Sequence, residues 1–464
     1  MLHGSMLLVN TSREPETAMT QPNILLLHCH DLGRFLPAYG IDTVQSPALD
    51  ALAADGIVFE RAFATAPQCS PARSSLFTGD YPQQTGVLGL THDPHGWDMA
   101  DPSRHVATHL RRAGYATELV GIHHESRTLP DDEVAERLGF DHVHTGGYAP
   151  EVARRAADAV RRHAGQDAPF YLQVGFIEPH RLQSDRDEAG VVGFLGSHIQ
   201  ADDERGVTVP PYLEDTASSR AEIAELQGAV RMMDAAVGEV LQALEDSGVA
   251  EETLVVFTTD HGIAMPRAKC SLYEPGLEVA LIMRVPWRGD LAGGRPQEMV
   301  SHLSVVPTLL GAAGIEDTER TAPNLIAVAD EREPGQSEVF GQMTYHNYYD
   351  PKRSVRDERH KLIVNYSNAP LAMDPTQSWT HRSLPLGLDR GNMPNNRERE
   401  LYDLVADPLE LTNLIADPTH AEVRDRLQAD LDAWMRRVDD PLLTGFIPAP
   451  RTRSTVPGAV STSS

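Results

Sequence analysis

The sequence predicts an α/β fold: a mostly parallel sheet sandwiched by helices, with a smaller C-terminal α+β domain. Three observations predict it. Four near-continuous apolar runs read as strands buried on both faces. Helical patterns fall between those runs, as crossover connections in a parallel sheet require. From about residue 335 the composition turns rich in Tyr, Arg and Asn, with short strand patterns in place of long ones.

The first strand is NILLLHC, residues 23–29, and a helix should follow from Ser46-Pro47. The next helix opens at CSPARS, residues 69–74. Ser70 is placed as its N-cap, Pro71 at the first position and Gly79 as its stop. Cys69 would then sit where backbone N–H groups and the helix dipole favour an anion, so a thiol there should be acidic and reactive. The competing reading is a small buried side chain that happens to precede a helix. A helix from Asp101-Pro102 to Gly114 leads to the strand TELVGI (117–122). Glu151 to Ala164 leads to FYLQVGF (170–176), and a long helix from about Ala217 to Leu244 leads to TLVVFTT (253–259). Beyond 335, SEVFGQM, RSVRDERHKLIVNY and ELYDL are short strand candidates, closed by a helix near 420–437. The expected divisions are a loose leader over 1–20, a main domain over 21–334, a smaller domain over 335–445 and a disordered Pro/Ser/Thr-rich tail over 446–464.

The chain has 464 residues, with 40 Lys and Arg against 67 Asp and Glu, a formal net charge of −27. That balance disfavours nucleic acid or an anionic membrane as the main partner, but not a small anion held by a few local cations. No apolar run is long enough to span a bilayer. The opening residues lack a basic n-region and an extended h-region, so no signal peptide is expected, and Met19 is a candidate start. Cys29, Cys69 and Cys270 are odd in number and far apart, which implies no disulfide framework and a cytoplasmic location.

Ligands of open parallel sheets bind beyond the carboxyl ends of the strands. There the chain places His30-Asp31, then His123, His124 and Glu125, then Glu178-Pro179-His180, then Asp260-His261-Gly262. The two Asp/His pairs have the mixed oxygen and nitrogen donors of a divalent-cation site. Arg73 lies one helical turn beyond Cys69, and Lys269 lies in the loop after Asp260-His261. Metal, cations and imidazoles around a helix N-terminus suit a tetrahedral oxyanion, whether phosphate, phosphonate or sulfate ester.

The segment Cys69-Ser-Pro-Ala-Arg73 resembles the C-x-P-x-R motif of type I sulfatases, in which the cysteine is oxidised to formylglycine. NILLLHCHDLG and TTDHG resemble that family's two metal segments, and ELYDLVADPLELTNL its C-terminal segment. The resemblance runs from about residue 21 to 440 and implies an alkaline-phosphatase-like fold, with 21–334 as the catalytic domain. Within the family, GVLGLTHDPHGWD, VGFIEPHR, CSLYEPG and YHNYYDPKRSVR look like the heparan N-sulfatase (sulfamidase) branch.

What the resemblance implies is a sulfatase acting on a sulfate ester or sulfamate, a small anionic substrate that would be a sulfated amino sugar in that branch. A formylglycine-generating enzyme would be a partner during maturation. One hydroxyl of the hydrated aldehyde at position 69 would attack sulfur, and the second would expel sulfate. Asp31, Asp260, His261 and Cys69 are the expected metal ligands, with His30. Arg73 would hold the hydrate, Lys269 and His180 the sulfate oxygens, and His124 would be the base. His346 would reach the organic part of the substrate.

The chain departs from the family at three places. His30 stands where Asp is usual, His261 where Asn is common, and Ile122 where a Gly-Lys-x-His segment has its lysine. The family metal is calcium, and imidazole donors shift the expectation toward manganese. A phosphonate monoester hydrolase or phosphodiesterase on the same fold is the alternative.

Overall fold

The computed structural model describes residues 21–92, 95–182, 193–194, 199–346, 348–369, 371, 382–388 and 394–450. The central sheet contains β1 (Asn23–Cys29), β2 (Ile57–Val58), β3 (Ala116–Gly121), β4 (His142–Thr145), β5 (Phe170–Gly175), β6 (Thr253–Thr259) and β7 (Leu281–Arg284). Their spatial order is β2-β7-β6-β1-β5-β3-β4. The four strands read from apolar runs, β6, β1, β5 and β3, are adjacent and mutually parallel. Their carboxyl ends therefore share one edge. β7 runs antiparallel to β6 and carries β2 at the rim.

Alternate residues of β1 serve two cores. Leu25 and Leu27 join Val152, Val160, Leu226, Val230 and Met233 on one face. These come from α4 (Ala149–Ala164) and α5 (Ala217–Asp246). Ile24 and Leu26 face Leu76, Phe77, Val106, Leu110 and Leu309 on the other. A sheet covered on both faces is why the strands read as unbroken apolar runs.

Helix ends show where local signals were overruled. α1 (Pro47–Asp55) starts at Ser46-Pro47 as expected, but Ser46 does not cap it. The carboxylate of Asp234 on α5 accepts the N–H groups of Ala48 (3.0 Å) and Leu49 (2.8 Å), a cap no local motif could reveal. α2 spans Cys69–Thr78 with Gln68 as N-cap, so Cys69 is the first helical residue and Ser70 is inside. The expected helix from Asp101 splits. Asp101 caps a short turn at Pro102–Arg104, and His105 then caps α3 (Val106–Arg112), its Nδ1 accepting the N–H of Ala107 at 3.2 Å.

The smaller sheet is antiparallel, β8 (Val339–Tyr345), β9 (Tyr349–Arg356), β10 (His360–Asn365) and β11 (Arg399–Asp403), in sequential order. The stretch RSVRDERHKLIVNY is thus two strands folded at 357–359. The closing helix α6 (Ala421–Arg437) lies across it, burying Leu427, Leu431 and Trp434 against Val355, Leu362 and Leu401. This sheet is fused to the main body through Phe63, Leu272, Tyr273, Leu277 and Met299 packed on Val339, Ile363 and Tyr402. The leader lies outside the described residues, as does the tail from 451. Before that point the packed chain continues past 445: Ile447 is buried, and its carbonyl accepts the Tyr345 hydroxyl at 2.7 Å.

The C-terminal end is pinned by Arg353 on β9, whose Nε and Nη2 donate to Asp440 Oδ2 (2.5 Å) and Oδ1 (2.9 Å), both side chains fully buried. Arg353 holds the Asp440 carboxyl below the usual range against the opposing effect of burial. Asp440→Ala leaves the guanidinium buried without its partner and should lower unfolding free energy by about 3–5 kcal/mol. Denaturant unfolding of the variant beside the parent checks this.

Among the described residues, no helix is long and apolar enough to cross a membrane.

Candidate active site

β1, β6 and α2 meet at the common carboxyl edge of the sheet. Asp31 follows β1 and adopts a left-handed backbone, φ +51°, a conformation that non-glycine residues keep only where surroundings enforce it. Its N–H donates to Asp260 Oδ1 at 2.9 Å, and the His261 N–H donates to the same oxygen at 2.9 Å. The other oxygen, Oδ2, accepts Arg73 Nε (3.2 Å) and Nη2 (3.1 Å). Burial would raise the Asp260 carboxyl, but His261, Arg73 and His30 hold it well below its usual range. Arg73 is itself fully buried and tied to β1 through the Cys29 carbonyl (2.9 Å) and His28 Nδ1 (2.5 Å). It therefore looks back from the second turn of α2 toward the helix mouth, as the spacing predicts.

Lys269 Nζ donates to both Asp31 oxygens, at 3.0 and 2.9 Å. Burial opposes ionisation of Asp31, and Lys269, His180 and His261 override it, bringing the carboxyl to about 2. Each buried carboxylate thus has one cation: Asp31 with Lys269, Asp260 with Arg73.

His261 Nδ1 lies 2.9 Å from the Gly262 carbonyl, so Nδ1 carries the proton and Nε2 keeps its lone pair. Nε2 lies 3.5 Å from Cys69 Sγ, 3.3 Å from Asp31 Oδ1 and 3.7 Å from Asp260 Oδ1. Asp31, Cys69, Asp260 and His261 each offer a ligand atom, all within 4.8 Å of one another. Two carboxylates, a sulfur and a neutral imidazole with its tautomer fixed from behind form a donor set that fits a divalent cation.

His30, Asp31, Cys69 and His180 form a second group of the same reach. That half already holds a positive charge, because Lys269 Nζ lies 3.4 Å from His180 Nε2 as well as on Asp31. His30 faces Asp260 Oδ2 through Nδ1 at 3.0 Å and belongs to this second group, not to the first. Burial and Arg73 lower His30 to about 4, and burial and Lys269 lower His180 to about 3, so both rings are neutral near pH 7.

Of the two readings of Cys69, the structure follows the buried one and not the acidic thiol. The residue is 1% exposed, and burial pushes its pKa up, with Lys269 opposing. The helix mouth does not make it acidic, because the side chain is taken out of water and faces two carboxylates. An unmodified Cys69 is therefore a poor nucleophile.

The other residues expected in the site divide. His124, with φ +73°, lies in the turn after β3, beyond Ile122 and His123, and brings its ring to 5.8 Å from that of His30. Gly121 makes this turn feasible: at φ +92°, any Cβ there would lie 2.0 Å from the Gly175 carbonyl oxygen. His123 turns inward instead, toward Glu125 at 3.9 Å, and does not replace the lysine absent at 122. His346 is buried just beyond β8, whose last carbonyl, Tyr345, accepts Gln68 Nε2 at 2.9 Å. The small sheet thus touches the residue before Cys69.

Sequence reading missed Thr91, His92, Gln68 and His28. Thr91 Oγ1 donates to the His124 carbonyl (3.1 Å) and its N–H to Ser70 Oγ (3.2 Å). His92 Nδ1 lies 3.0 Å from His124 Nε2. His28 is hidden inside the apolar run of β1, Gln68 precedes α2, and Thr91 and His92 lie in the stretch GVLGLTHDPHGWD, which carries no strand end; their contacts give them a place in the site.

Residues 22–315 match the family described as Sulfatase. The chain is 32% identical to human N-sulphoglucosamine sulphohydrolase, covering 90% of this chain and 91% of that protein. It is 27% identical to an ulvan-active sulfatase of Formosa agariphila, over 90% of this chain and 76% of the other. Among solved structures, a Bacteroides thetaiotaomicron protein of a glycosaminoglycan-metabolism locus superposes with a TM-score of 0.70 at 18% identity. It covers 91% of this chain and 98% of its own. A phosphonate monoester hydrolase of Agrobacterium radiobacter gives 0.63 at 22% identity, with 91% and 97% covered.

Proposed function

Because the chain belongs to the sulfatase family, hydrolases of sulfate esters and sulfamates, we propose that Cys69 is the precursor of its nucleophile and Asp31, Asp260 and His261 its metal ligands. The observation that carries the reading is the convergence of Asp31, Asp260 and His261 on Cys69 Sγ with Arg73 and Lys269 against the two carboxylates. Oxidised to formylglycine and hydrated, position 69 supplies one hydroxyl to attack sulfur and a second whose deprotonation releases sulfate. A divalent cation on these ligands would polarise a sulfate oxygen and favour the ionised hydroxyl. The imidazole of His261, with His30 beside Asp260, favours manganese over the family's calcium.

The chain's own groups do the rest. Without a cation, the two carboxylates and the two buried cations cancel. A divalent ion leaves the site with two positive charges, suited to a singly charged sulfuryl group and one ionised hydroxyl. Arg73, fixed on three sides, orients the hydrate. Lys269 faces the sulfate oxygens and is the group that carries a proton for the leaving atom, since His180 is neutral and holds its Nδ1 hydrogen on the Arg181 carbonyl at 2.6 Å. His124 is the base for the second hydroxyl, and His346 stands on the side of the organic group. All ten residues of α2 are buried, so a formylglycine-generating enzyme must act before the chain folds.

The substrate class we propose is a sulfated amino sugar, as the name of the human relative states for that protein. The phosphonate reading is favoured by one observation, the absence of a cation at Ile122. Rates on N-sulfoglucosamine, an aryl sulfate and an aryl phosphonate monoester decide between them. Turnover of a sulfated compound at the highest kcat/KM is expected; a far faster phosphonate reaction would replace the sulfatase assignment for this member. Metal binding is read separately. Manganese should raise the melting temperature of chelated protein more than calcium at equal concentration, and equal shifts would remove the imidazole argument.

A further inference from the structure

We propose that His92 is a positioning residue that fixes which nitrogen of His124 acts in the reaction. The inference rests on the reading of His124 as the base. A neutral imidazole has one N–H and one lone pair, so a base must have its second nitrogen assigned by a neighbour. Here the neighbour is a ring. His92 Nδ1 lies 3.0 Å from His124 Nε2, and the two rings meet edge to edge, their centroids 5.2 Å apart with 19° between their planes. His124 Nδ1 is buried with no hydrogen-bond partner among the described residues. For His124 to act as a base, its Nε2 carries the hydrogen and donates it to His92 Nδ1, which leaves the Nδ1 lone pair to face the chemistry.

The backbone makes the contact a built one. His92 follows Thr91, whose hydroxyl donates to the His124 carbonyl and whose N–H donates to Ser70, the neighbour of Cys69. The same two residues thus hold the main chain and the ring of His124, and fasten both to the mouth of α2. The left-handed backbone of His124 is consistent with a conformation held from outside. His92 is half-buried and is not a member of the four-donor group around Cys69.

Three readouts test this. In protein labelled at the histidine nitrogens, a scalar coupling across the bond between His92 Nδ1 and His124 Nε2 is expected in the parent. Its absence would overturn the proposal, whatever the substrate turns out to be. His92→Phe keeps a ring in the same space but bonds nothing, and kcat should fall about 10–100-fold with KM within threefold, the size seen when a partner behind a functional imidazole is lost. His92→Asn sets an amide near the place of Nδ1 and should recover most of that loss. Unchanged kcat in the Phe variant, or an Asn variant no better than it, would show a packing role alone. If the parent prefers the phosphonate, the same comparison is made on that substrate, so failure of the sulfatase reading and failure of this one remain distinct.

Discussion

Cys69→Ala abolishes turnover, with kcat expected to fall by about 10⁴-fold or more, while the melting temperature stays near that of the parent. The size follows from the role. In the proposed mechanism the side chain at 69 is the precursor of both the attacking hydroxyl and the hydroxyl that releases sulfate, so no second group supplies either step. The stability forecast follows from the surroundings. Cys69 is small and buried beside two ion-paired carboxylates, and removing its sulfur leaves those pairs intact. Cys69→Ser should be nearly as inactive, because an alcohol can attack but offers no second hydroxyl for release. Activity of either variant within tenfold of the parent would mean that another residue attacks sulfur.

Asp260→Asn is the second large effect. The change keeps the shape but removes the charge that Arg73 and His30 face, and with it one of the two carboxylates of the proposed metal site. Arg73 is fully buried, so its guanidinium would lose its ion-pair partner at a cost of about 3–5 kcal/mol in stability. Activity should fall by at least about 10³-fold, since metal affinity and the orientation of Arg73 fail together. The two contributions separate experimentally. In the variant, added manganese should no longer raise the melting temperature, whereas in Cys69→Ala the remaining donors should keep part of that response. A variant that still responds to manganese as the parent does would remove Asp260 from the ligand set.

Much of this arrangement was legible in the chain. β1 and β6 were read to the residue, because strands covered on both faces leave unbroken apolar runs. The parallel order of those strands then puts His30-Asp31 and Asp260-His261 at one edge, which is why four separate strand ends could be read as one site. The errors lie where a contact distant in sequence outweighs a local signal. Ser46 is a good cap by type, yet Asp234 from α5 does the capping. Cys69 stands at a helix mouth that would favour a thiolate, yet burial against Asp31 and Asp260 prevents it. His123 and His124 are adjacent and chemically equal in the sequence. Only the turn after Gly121 sends one toward Glu125 and the other toward His30 and His92.

The central claim is that residue 69 works as an aldehyde made from cysteine. The direct measurement is the mass of the peptide carrying residue 69, from protein expressed with and without a formylglycine-generating enzyme, set beside the specific activity of each sample. The account predicts a peptide in which one sulfur and two hydrogens are exchanged for one oxygen, with activity proportional to its fraction. Full activity in protein whose Cys69 is entirely an unmodified thiol would contradict it.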